Sequence, residues 1–266
     1  MNKEIELDIK QIFELQSFDK EKFEQWSDEE ISSYVKSLRA DLDYAGRRCS
    51  GCVALLKLSE KEIHKNLQYL NGQEYDNYII QRWLSIIQTH NDVYEMIGYL
   101  ILLKMDAITT SISLFQAQND TERIMICKHA YTIIYEAIEN NLFRKVAAGM
   151  KKYPEDLTGG DVFGQVWKEI RSVVKQMLDV EEAKEIRNSI DAHKCPSFAT
   201  QVNVYKKCSW AQSVRNLYIL VQIVDVIQKY MDIINKNMKN LYEQYQIDMK
   251  ERVKQLEEIK KELQKL

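Results

Sequence analysis

The sequence predicts an all-α protein, on three observations. Apolar residues recur at intervals of three and four over most of the 266 residues. Only two prolines and eight glycines punctuate that length, whereas strands and loops need such breaks far more often. Helix-opening patterns, a capping residue followed by acids, stand just ahead of the periodic stretches. With 45% hydrophobic residues, the chain can bury a large core.

Residues 1–26 read as one or two short amphipathic helices, with Ile5, Ile9, Ile12, Phe13, Phe23 and Trp26 on the apolar face. Ser27-Asp28-Glu29-Glu30 supplies a capping hydroxyl and a first turn of acids, so a long helix should start there. It should stop at Asn71-Gly72. A second long helix is expected from Tyr75 to Phe115, with room for a break near Thr89-His90-Asn91. Asn119-Asp120-Thr121-Glu122 opens a third, expected to reach about Lys152. Tyr153 to Gly160 is the clearest loop. A helix over 161–178 should follow, then a short one over 180–194 capped by Asp179 and ended by Pro196. A short helix is expected over 200–206, and a long final one from Ser209. Beyond Asn235, Tyr242, Met249, Leu256 and Leu263 keep a seven-residue line. Their companions Gln246, Val253 and Lys260 are mostly polar, so the tail is a helical extension rather than a strong zipper.

Composition narrows the function. A net charge of −3 argues against the broad basic surface that binds duplex DNA non-specifically. The N-terminus, MNKEIELDIKQIF, has no apolar signal core, and the run Met96 to Met105 is about half the ~20 residues of a membrane span. The expectation is a cytoplasmic protein that does not enter the membrane. Five cysteines do not suit a disulfide framework. Cys49-Ser50-Gly51-Cys52 has CxxC spacing, but no second pair follows and it lies within a helical pattern, so packed thiols are the expected reading. No metal or other cofactor is expected.

One segment carries chemistry: Arg187-Asn188-Ser189-Ile190-Asp191-Ala192-His193. Arginine keeps its charge and matches phosphate oxygens with a planar fork. Histidine can give or take a proton near neutral pH. Six residues along an ideal helix leave the two side chains about 120° apart. Joint action therefore requires the helix to end or distort near His193, or a site built from two chains. The plain alternative is a histidine capping helix carbonyls beside an unrelated arginine. Lys128 and Glu136, on the helix after Asn119, could support the site, although an exposed helix surface is the simpler reading for both.

The segment Glu185 to Lys194 resembles the signature of the HEPN superfamily, all-helical domains with an R-x(4–6)-H motif and a polar residue after the arginine. Here the spacing is five and the polar residue is Asn188. The resemblance implies a HEPN-like four-helix bundle over residues 90–235, an N-terminal helical extension over 1–89, and a helical tail over 236–266. It implies a metal-independent endoribonuclease acting as a homodimer on RNA, in a toxin, stress or phage-defence setting. By that carry-over, His193 is the general acid/base for attack by the 2′-hydroxyl, Arg187 binds the scissile phosphate, and Asn188 orients the site. Two alternatives stay open: a non-catalytic HEPN-like module that binds a nucleotide or a protein partner, and a structural helical protein that associates through its tail.

Overall fold

The computed structural model describes residues 10–12, 14–15, 21–70, 77–139, 171, 173–190 and 198–263. It is all-α, with no strand among the described residues. Seven helices are named here in chain order: α1 (Glu21–Glu24), α2 (Asp28–Leu70), α3 (Asn77–Gln116), α4 (Asp120–Ile138), α5 (Val180–Ile190), α6 (Phe198–Lys207) and α7 (Trp210–Leu263).

The helix starts form where the caps are. Ser27 Oγ accepts from the Glu30 backbone N–H at 3.3 Å, and the Ser27 N–H donates to Glu30 Oε2 at 2.8 Å. This reciprocal pair satisfies two otherwise orphaned donors. Asn119 repeats the device, its Oδ1 accepting from Glu122 N–H at 2.9 Å while Glu122 Oε2 takes the Gln118 N–H at 2.7 Å. Helix α3 runs unbroken through 89–91, so the break considered there does not occur. The expected boundary at 89/90 falls inside this helix, and one buried cluster continues across it from Val35, Leu38 and Ala45 to Leu100 and Ile108.

Three long helices make the body. Arg39 on α2 reaches Gln116 on α3 at 3.3 Å, which places the start of one beside the end of the other, as in an antiparallel hairpin. Along α3 and α7, Phe115 meets Trp210, Lys104 meets Asp225 and Tyr94 meets Asn235, so these two helices are also antiparallel. Arg48 on α2 closes the triangle with a two-oxygen contact to Asp232 on α7 at 2.7 and 2.9 Å. Phe23, Trp26, Tyr34, Phe115 and Trp210 form a chain of ring contacts that pins α1 to one end of the body. Ile12 and Phe23 are buried, as their place on the predicted apolar face requires. Helix α7 holds 54 residues in one helix, about 80 Å at 1.5 Å per residue, so the tail through Leu263 is a continuation of a core helix.

The stretch Asn91–Gln116 is long and apolar enough by length and composition to cross a membrane, and half of its most apolar window is buried. It exceeds the ten-residue run picked out from the sequence because Ala107 to Leu114 extend the same core face.

Helix α4 packs on α3 and α7 through Cys127, Ala130, Tyr131, Ile134, Ala137 and Ile138. Helix α5 lies against α4 and touches α6. Its buried side is Val180, Ala183 and Ile186, at steps of three. The loop expected at 153–160, the far ends of the helices expected over 120–152 and 180–194, and Cys195 lie outside the described residues.

Candidate functional site

Arg187 sits in the last described turn of α5, next to the buried Ile186. That position puts its stem against α4 while the guanidinium reaches the edge of the interface. Its side chain is 27% exposed. Nη2 donates to Glu136 Oε1 on α4 at 3.0 Å. Nη1 donates to Asn188 Oδ1 at 3.3 Å. The guanidinium carbon lies 5.2 Å from the centre of the Tyr135 ring, within cation–π range. Three neighbours therefore fix the fork. Since arginine carries five N–H donors, several stay unspent by these contacts.

The structure brings two of the three motif residues together, Arg187 and Asn188. His193, the third, lies outside the described residues. Asn188, expected to orient the site, is exposed and accepts a hydrogen bond from Arg187. Glu136 is half-buried and bonded to Arg187, so it is not the plain exposed surface that was the simpler reading. Tyr135 was not singled out from the sequence. It is half-buried and lies between the buried Ile134 and Ala137, packed against the core with part of its surface exposed.

The turn before α5 fixes how that helix leaves α4. Asp179 has φ 48, in the left-handed region that few residues other than glycine and asparagine accept. It ends the helical turn over 173–177, and its carbonyl accepts from Ala183 N–H at 2.9 Å, the first bond of α5. Among the described residues, the Asp179 carboxylate accepts not from a backbone N–H of α5, as a side-chain cap would, but from Gln212 Nε2 at 2.6 Å and Asn216 Nδ2 at 3.5 Å on α7. Asn216 also donates to the Leu178 carbonyl at 3.2 Å, and Arg215 Nη1 to the Met177 carbonyl at 2.7 Å. The open carbonyls of the preceding helix end are thus taken up by α7, which anchors the root of α5 to the core.

Further polar pairs surround the α4–α5–α6 face. Lys207 on α6 meets Glu185 on α5 at 2.8 Å. Lys175 meets Glu139, and its ammonium holds that carboxyl below the usual value, with help from Arg171 and Lys184 and against the effect of burial. Lys128 on α4 donates to the Tyr205 hydroxyl on α6. Among the described residues, no group of three or more His, Cys, Asp or Glu could hold a metal ion. Cys49 and Cys52 lie inside α2, the first half-buried and the second buried, as packed thiols do.

No family model matches the chain, and no solved structure does. A curated protein that it resembles is anthranilate synthase component 1 of Bacillus subtilis (strain 168), at 25% identity over 132 residues. The match covers 50% of this chain and 26% of that protein. The chain therefore spans about a quarter of the length of the curated protein it matches, too little to show a family.

Proposed function

We propose that the protein is a metal-independent endoribonuclease of HEPN type, with Arg187, Asn188 and His193 as its working residues. The observation that carries this reading is the fixing of Arg187. A phosphate-binding arginine needs a defined orientation before substrate arrives. Glu136, Asn188 and Tyr135 provide one at the edge of a helix interface, with donors left over. His193 lies six positions on, and it supplies the general acid/base for attack of the RNA 2′-hydroxyl on the adjacent phosphorus. The bond between phosphorus and the 5′-oxygen breaks, leaving a 2′,3′-cyclic phosphate. In this reading α3, α4, α5 and α7 form the HEPN-like core, and two copies join their motifs in a homodimer.

One feature favours the binding-module alternative. Glu136 offsets the charge of Arg187, which suits a site that holds a neutral or weakly anionic partner. A cleavage assay separates the two. Wild type should cut single-stranded RNA in EDTA and leave cyclic phosphate ends. His193→Ala should lose about 10²–10⁴-fold in rate with its melting temperature kept. Arg187→Lys should fail too, because lysine keeps the charge and loses the fork. RNA that stays intact with folded wild type in several sequence contexts would favour the binding module.

A further inference from the structure

We propose that Lys128 and Tyr205 form a second phosphate subsite, which holds the RNA backbone a few nucleotides from the phosphate at Arg187; this rests on the ribonuclease reading. The Lys128 ammonium donates to the Tyr205 hydroxyl and lies 3.8 Å from the centre of its ring. Lys128 is half-buried. Several other cations on α5, α6 and the segment before α5 have a carboxylate: Lys207 has Glu185, Lys184 has Glu181, Lys175 has Glu139 and Arg187 has Glu136. Among the described residues no carboxylate pairs with Lys128.

The donor balance identifies the ligand class. An ammonium has three N–H donors and no acceptor. One goes to Tyr205, and the phenol, having accepted it, can still donate its own hydrogen. The pair thus presents several donors around a partly desolvated positive charge. An anionic oxygen is what such a pair lacks. A half-buried ammonium with no carboxylate in contact has given up part of its hydration, and a bound phosphate would offset that loss.

Placement connects this pair to the Arg187 site. Lys128, Thr132 and Glu136 follow one another at four-residue steps on α4, which is one ridge of a helix. At one end the ridge meets Tyr205 of α6, at the other Arg187 of α5. The rise over that interval is about 12 Å. At about 3.4 Å per phosphate along a stacked strand, this spans three or four nucleotides. The two sites can therefore engage one strand.

The test uses the full chain and a fluorescein-labelled, fully 2′-O-methylated single-stranded RNA, which binds but cannot be cut by 2′-hydroxyl attack. Affinity is measured by anisotropy over a range of KCl. Lys128→Ala should weaken binding several-fold and reduce the salt slope by about 0.7, the value of one phosphate contact on a single strand. Lys128→Arg should restore the slope. Tyr205→Phe keeps the ring under the ammonium and should cost a smaller factor without changing the melting temperature. If Lys128→Ala melts early, Lys128→Gln replaces it, since it keeps most of the stem. An unchanged slope in a folded variant overturns the subsite and leaves the ribonuclease reading to its own cleavage assay. Failure of wild type to bind the probe also overturns it. A lowered slope supports the subsite even if unmodified RNA is not cut, and the failure then belongs to the catalytic reading.

Discussion

Arg187 and Glu136, 51 residues apart in the chain, meet at 3.0 Å across the α4–α5 interface. The pair ties the most reactive-looking arginine of the sequence to a helix that contributes no motif of its own. Its energetic value is modest, because both side chains are partly exposed, at 27% and 40%. Pairs of that kind contribute about 0.2–1 kcal/mol. Its value for positioning is larger, since it leaves the guanidinium one preferred direction.

Glu136→Gln follows from this asymmetry. The amide keeps a hydrogen-bond acceptor but loses the charge. Stability should fall by no more than about 1 kcal/mol in urea unfolding. If the chain cleaves RNA as proposed, cleavage should fall well beyond what that stability loss explains, through the rate at saturating RNA. Glu136→Ala should be worse, and Glu136→Asp should recover little because its reach is shorter. A variant with full activity would show that Arg187 is oriented by Tyr135 and Asn188 alone.

Asn216→Leu tests the root of α5. Asn216 is fully buried and donates to Leu178 and Asp179 while accepting from Gln212 and Arg215. Leucine of similar size leaves the Leu178 carbonyl without that donor and the Asp179 carboxylate with one fewer. The expected loss is about 1–3 kcal/mol in chemical denaturation. A loss under about 0.5 kcal/mol would mean that water replaces the amide at no cost.

The parts of the fold legible in the sequence are those fixed by neighbours in the chain. Ser27 and Asn119 signal helix starts because their partners, Glu30 and Glu122, lie three residues on. The long α2, α3 and α7 are visible because one apolar stripe repeats for many turns. Contacts set by packing are not visible. Asp179 looks like a side-chain cap, but its carboxylate is claimed by Gln212 and Asn216, 33 and 37 residues away. Glu136 looks like solvated surface because nothing near it in sequence announces Arg187. Within the motif, the Arg187–Asn188 contact was not legible either, because adjacent side chains on a helix do not ordinarily face each other.

Thiol reactivity should be low in the folded state. Burial raises the thiols of Cys52 and Cys127, and pushes Cys208 up to about 11. The thiolate is the reactive form, so at pH 8 these three are held mostly protonated. Iodoacetamide followed by peptide mass spectrometry should find them largely unmodified in native protein and fully modified after unfolding. Rapid native alkylation of Cys127 would mean that α4 opens from the bundle.

The Lys175–Glu139 pair gives stability a defined pH dependence. The Lys175 ammonium lowers the Glu139 pKa, with Arg171 and Lys184 adding to it, and burial opposes the shift. A carboxylate whose folded pKa lies below its unfolded one contributes in full above the unfolded value. The contribution is lost as pH falls through the folded value. The window therefore lies below the usual glutamate range, not near neutrality. Lys175→Met removes the partner and keeps most of the stem. At neutral pH the variant should be less stable by about 0.2–1 kcal/mol, because the pair is partly exposed to solvent. Near pH 3 the difference should shrink toward zero, because Glu139 is then increasingly protonated in both proteins. Thermal melts of the two at both pH values measure this. A difference that stays constant on acidification would show that Lys175 stabilises through its packed methylene stem and not through charge.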